Sequence, residues 1–138
     1  MDHQIQTSVA STGAITMLAA SKMVLGVTCI IAPRFACRLF LLKLPAGGAI
    51  AGRLFGSSCA AFGGLTWAAS KSASEGRLSS LDLKTVLAAN VVADSVDTIS
   101  CLVGYTAGMY GLSTLGLLGG GCTALAALGA LGFTGTKS

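Results

Sequence analysis

Asp94 and Asp97 stand one helical turn apart inside a long apolar stretch, and Arg53 stands inside another. An ionisable side chain near the centre of a bilayer costs roughly 2.5–3.5 kcal/mol on insertion scales, so such residues usually mark a site or a buried pair. Asn90 precedes Asp94 by four residues. Offsets of four and three put Asn90, Asp94 and Asp97 on one helical stripe, which Ser100 and Cys101 extend. Lipid cannot satisfy that stripe, so it must face a bundle interior or a wet cavity. Two nearby carboxylates in a low dielectric resist joint ionisation, which would leave one protonated acid beside one ionised base. Arg53 would orient the ionised partner through bidentate hydrogen bonds. That set of groups fits general acid–base catalysis on an apolar substrate, with Asp94, Asp97 and Arg53 as the catalytic candidates.

The elements that would position these residues are four membrane spans, at about 9–32, 46–69, 84–106 and 110–133, in one domain covering 1–138. The expected fold class is all-α, a polytopic four-helix membrane bundle. Pro33 should end the first span, and Ser79 or Ser80 should cap the third. Counting 1.5 Å per residue puts both aspartates within about one turn of the midplane, with Arg53 at the level of Asp97. Lys22 in the first span comes to similar depth and would join the cluster; a later-starting span would let it snorkel to the interface instead. Lys22, Asn90 and Trp67 are the substrate-binding candidates. Asn90 could equally bond across helices, and Trp67 could equally anchor an interface. Phe55 and Phe62 read as core or lipid-facing. A buried ion network that merely fixes helix register is the competing account of the cluster.

Composition supports the membrane reading. The chain has 138 residues, 53% hydrophobic and 10% charged, and its mean hydropathy is +0.78. A soluble domain is about 25% charged. The net charge of +4 fits anionic lipid headgroups rather than nucleic acid, since no basic run carries interleaved aromatics. The N-terminus lacks the basic region of a secretory signal, so the first apolar stretch reads as a retained span. Cys29, Cys37, Cys59, Cys101 and Cys122 include no CxxC pair, and thiols within spans behave as small hydrophobes. His3, in the tail, is the one imidazole, so no metal site is expected, and no cofactor.

The connections differ in character. Arg34–Leu44 is short and amphipathic, and reads as an interfacial helix or a basic loop with apolar anchors. Residues 71–82 form the clearly hydrophilic connection. Residues 104–111 barely form a loop, which makes the last two spans an antiparallel hairpin with Tyr105 and Tyr110 as interface aromatics. Basic residues are too evenly divided between the two sides to set an orientation. Gly48, Gly52 and Gly56 recur every four residues, as do Gly104 and Gly108, and Gly116 and Gly120. Such spacing lets helices approach closely in lipid, within the chain or in a homodimer.

Three motifs, VLGVTCIIAPR, GRLFGSSCAAFGGLTW and VVADSVDTIS, carry a resemblance. The chain resembles a family of small four-span membrane proteins common in fungi, some encoded in polyketide or terpenoid biosynthetic clusters. Some members look like epoxide hydrolases or cyclases acting on polyene epoxides. The resemblance implies epoxide hydrolysis, cyclisation or isomerisation of a lipophilic secondary metabolite, with Asp94, Asp97 and Arg53 as the working residues. It places the chain in an integral membrane location, with the endoplasmic reticulum as the expected compartment. An Asp–Arg–Asp set also resembles that of the soluble limonene-type epoxide hydrolases, by chemical analogy across a different fold. The alternatives are a structural or assembly protein with a buried ion cluster, and a small proton-coupled transporter.

Overall fold

Backbone buried in lipid must satisfy its own polar groups, which over long apolar runs means helix. The computed structural model describes residues 6–137 and has a helix at each such run. A two-residue strand, β1 (Gln6–Thr7), precedes α1 (Val9–Ile31), α2 (Pro33–Leu39), α3 (Gly48–Ser74), α4 (Ser80–Thr106) and α5 (Leu112–Gly135), and β2 (Thr136–Lys137) closes the chain. The strands pair antiparallel, Gln6 with Lys137 and Thr7 with Thr136, tying the two termini together. His3 lies outside the described residues.

Local chemistry sets the boundaries. Ser8 caps α1, its Oγ accepting from the Ser11 amide at 3.2 Å. Pro33 ends that helix and starts α2 at a position where its missing N–H costs nothing. Ser79 caps α4, accepting from the Asp82 amide at 3.1 Å. Helix α2 ends in a Schellman turn: the Leu41 amide donates to the Arg38 carbonyl and the Leu42 amide to the Cys37 carbonyl. Leu41 occupies the left-handed position of that turn, with φ of 58°, where glycine is usual.

Three helices, α1, α4 and α5, are long and apolar enough to cross a membrane, the pattern of an integral membrane protein. Helix α3 has the length, at 27 residues, but Arg53, Lys71 and its many glycines and serines dilute its apolarity below that of the other three.

The long helices form a ring. α1 lies along α3 and α4 along α5, and the two pairs meet through α1 with α5 and, more sparsely, α3 with α4. The α1–α3 seam is backbone on backbone. A Cβ on Gly26 would come 2.6 Å from the Gly56 carbonyl, and one on Gly63 would come 2.8 Å from that of Ala19. So the glycine spacing is used, but in a different register from the expected one: Gly56 and Gly63 meet α1, while Gly48 meets its own loop at Leu44. Gly104 makes room for the Tyr110 ring, and Gly108 supplies the positive φ that ends α4. Gly116 and Gly120 have nothing within 4 Å of where a Cβ would sit.

Along its axis the bundle has two unlike halves. At the end carrying the paired strands, Ile15, Leu18, Ala69, Ala73, Leu83 and Leu87 form one buried apolar cluster. Ser11 and Thr136 are buried with them, both donating to the Gly132 carbonyl. The other half, where α2 and Tyr110 lie, encloses a cavity.

Candidate functional site

The cavity takes its walls from one half of every long helix: the second half of α1 and α4 and the first half of α3 and α5. Its volume is about 760 Å³, within the roughly 300–1,000 Å³ of small-molecule sites. Helix α2 and the turn after it close the end, through Pro33, Ala36, Cys37, Phe40 and Leu42. The Tyr110 hydroxyl donates to the Cys101 carbonyl at 2.6 Å and holds the ring in the wall. Phe55 and Ser58 of α3 and Ser100 of α4 belong to the wall and are also exposed. The mouth therefore lies between α3 and α4, the most loosely joined neighbours in the ring.

An ion pair forms the floor. Lys22 Nζ lies 2.8 Å from Asp94 Oδ1, and both side chains are 4% exposed. The pair spans the ring diagonally, from α1 to α4, at the boundary between the two halves. Phe62 receives the ammonium over its ring, 5.2 Å from the centroid. Asp94 Oδ2 is buried with no hydrogen-bond partner among the described residues. One turn further on, half-buried Asp97 lines the cavity and has no hydrogen bond or ion pair among the described residues. The Lys22 charge acts on both carboxylates.

Just below the floor, Asn90 is fully buried. Its Nδ2 donates to Thr66 Oγ1 and to the Val86 carbonyl, each at 2.9 Å. Thr66 Oγ1 in turn donates to the Phe62 carbonyl at 2.7 Å. Asn90 thus ties α4 to α3 in the filled half and is not part of the cavity wall.

No family model, curated protein or solved structure matches the chain.

The sequence-predicted residues separate into two groups. Asp94, Asp97 and Lys22 come together. Arg53 does not join them: it is exposed, and its Nε donates to the Ile30 carbonyl at 3.3 Å. Ile30 lies in the last turn of α1, whose carbonyls lack helical partners. A cation there also meets the negative end of the helix dipole. Arg53 is a cap for α1 rather than the partner of Asp97. Trp67 is 51% exposed and lies outside the cavity wall.

The sequence did not place other features of the site there. All five cysteines line the cavity, one from each helix, and so do Phe40, Phe62 and Tyr110. Cys101 was on the polar stripe, and Cys59 lies on the same face of α3 as Gly52, Gly56, Gly63 and Thr66. That small-residue face was the available signal. Phe40 and Tyr110 had none, because α2 and the Tyr110 loop fold over the end through tertiary contacts alone, and Phe62 of α3 read only as core or lipid-facing.

Proposed function

We propose that this chain is an integral membrane enzyme that takes a lipophilic epoxide from the bilayer and opens it by acid–base chemistry at Asp97. The observation that carries the reading is Asp97 itself: a carboxylate without a partner, facing an apolar cavity of ligand size, beside a buried cation. Helix α3 completes the ring as a fourth span in this reading. It matches α4 at 27 residues, about 40 Å at 1.5 Å per residue. Helix α2 lies at the headgroups, with exposed Arg34 and Arg38 toward anionic lipid. The mouth between α3 and α4 then opens sideways into the hydrocarbon, where an apolar substrate is concentrated.

In the protonated form Asp97 donates its proton to the epoxide oxygen as the carbon–oxygen bond breaks. Water, or a hydroxyl of the substrate, attacks the carbon and loses a proton to the resulting carboxylate. The product is a diol or a cyclic ether, and Asp97 ends as it began. Lys22 stabilises the carboxylate stage, and Asp94 holds Lys22 in place. In this reading the substrate is a polyketide or terpenoid and the membrane that of the endoplasmic reticulum, as the resemblance to fungal cluster proteins implies. One observation favours a structural role for part of the cluster: the Lys22–Asp94 pair balances its own charge and joins opposite corners of the ring. Asp97 stands outside that clasp and is not needed for it.

The test is turnover of a long-chain terpenoid epoxide by the purified protein in mixed micelles, with the diol or cyclic ether detected by mass spectrometry. Asp97→Asn should lower kcat by about 10²–10⁴-fold, the usual contribution of a positioned acid or base. Full activity in that variant would sink the proposal.

A further inference from the structure

Lys22 has no covalent role in the acid–base reading, yet its placement is that of a nucleophile. Arginine is the better residue for a buried structural ion pair, because its fork pairs both carboxylate oxygens and stays charged. Lysine has what arginine lacks, an amine that can lose its proton and attack a carbonyl. This lysine is 3% exposed at the floor of an apolar cavity. Its Nζ sits 2.8 Å from Asp94 Oδ1, while Asp94 Oδ2 has no partner among the described residues. Asp97 supplies a second proton-transfer group one turn away.

We propose that Lys22 condenses with a lipophilic aldehyde or ketone held in the cavity, forming an iminium ion whose counter-ion is Asp94. The inference shares one premise with the proposed function, that the cavity holds a lipophilic small molecule, and it does not depend on epoxide chemistry.

The steps balance without a further reagent. The Lys22 ammonium passes a proton to Asp94, and the free amine attacks the carbonyl carbon, forming the carbon–nitrogen bond as the carbonyl π electrons move to oxygen. That oxygen takes one proton from the new ammonium centre, through either carboxylate. The carbinolamine hydroxyl takes a second proton, from Asp94, and leaves as water as the nitrogen lone pair forms the double bond. The iminium keeps one proton on nitrogen and one positive charge, facing the Asp94 carboxylate, as the ammonium did. Net, the ammonium and the carbonyl compound give iminium and water. An aldehyde carried on a terpenoid or polyketide tail fits both the chemistry of the floor and the apolar walls.

The experiment incubates the full chain, in detergent micelles, with all-trans-retinal as a chromophoric carbonyl probe. Cyanoborohydride then fixes any imine, and peptide mapping locates it. The expected result is a red-shifted protonated-imine absorbance and an adduct at Lys22. Labelling there should exceed that at each of Lys43, Lys71, Lys84 and Lys137 on the order of tenfold, since the cavity raises the effective concentration of carbonyl at the amine. An even distribution over the lysines, or no adduct, overturns the proposal. Because the map is made on the unaltered protein, the result stands even if Lys22→Arg does not fold; if it folds, it should lose the adduct. Asp94→Asn should keep an adduct but shift its absorbance toward that of a neutral imine, and an unchanged spectrum would overturn the counter-ion assignment. Epoxide turnover by the same preparation without a Lys22 adduct removes this inference alone. A Lys22 adduct without epoxide turnover supports it and removes the epoxide reading alone.

Discussion

The two halves of this bundle are built from the same four helices and use their apolar residues differently. In the filled half the side chains meet one another: Leu18 and Leu87 are 0% exposed, and Ile15 and Leu83 only 1%. In the hollow half they face a cavity of about 760 Å³. A molecule selected for stability alone would close such a space, since an unfilled cavity forfeits the contacts its walls could make. In the proposed reading the filled half supplies the rigidity and the hollow half a site. The Lys22–Asp94 pair lies on the boundary and belongs to both.

The largest test of this division is Lys22→Met. It leaves Asp94 buried without its counter-charge, and removing one partner of a buried pair costs about 3–5 kcal/mol. Adding Asp94→Leu should recover most of that loss, because an apolar pair of similar volume replaces a desolvated ionic one. Reversible unfolding in mixed micelles measures both variants. A double variant no more stable than the single would show that the pair contributes more than its mutual charge compensation. In either case the boundary residues should carry an effect that few wall residues match.

The next test compares one leucine from each half. Leu87→Ala in the filled half should cost about 2–5 kcal/mol, the range for a truncation that leaves a cavity behind. Leu25→Ala, in the cavity wall and only partly buried, should cost less, about 1–2 kcal/mol, since part of its side chain faces the cavity rather than protein. Equal costs would mean that the hollow half collapses onto its own walls and that the two halves are not mechanically distinct. A lipophilic ligand should narrow that difference, because the added contacts lie with Leu25 and not with Leu87. The ligand then stabilises the hollow half by mass action.

How much of this was readable from residues alone depends on which coordinate is asked for. Position along the helix was legible: apolar runs, Pro33 and Ser79 place the elements, and counting rise per residue put Lys22 level with Asp94. The face of each helix was legible where polar residues recur, so Asn90, Asp94 and Cys101 are all buried as their stripe requires. On α3 the polar residues misled. Its inward face is the small-residue series Gly52, Gly56, Cys59, Gly63 and Thr66, and Arg53 and Trp67 each stand one residue past a member of it. One residue is about 100° of rotation, enough to carry both side chains outside. A charge at the right depth is thus weaker information than a run of small residues, which can be small only because another backbone lies against them. The sequence reads a span at about 46–69, but the glycines and serines that let α3 approach α1 also lower its apolarity below that of the three helices long and apolar enough to cross a membrane. Which carboxylate would be free was illegible, because it turns on whether Lys22 reaches across the ring.

The smallest expected effect is at Arg53. Arg53→Ala removes a cation from the last turn of α1 and a hydrogen bond to the Ile30 carbonyl. A charge at a helix terminus contributes about 0.3–1 kcal/mol when exposed, so the loss of stability should fall in that range. Epoxide turnover should be unchanged, because the side chain lies on the outer face of α3 and no wall of the cavity moves with it. The conservative change Arg53→Lys should keep part of the stability that Arg53→Ala loses, since the terminus needs a cation and a donor rather than a bidentate fork. If Arg53→Ala instead abolished turnover in a protein of normal stability, Arg53 would have to reach Asp97 in the working state. That would require α3 to turn by about one residue's rotation against α1, and the Gly26–Gly56 seam, with a Cβ on either glycine closer than 3 Å to the opposing backbone, is the contact such a rotation would have to break.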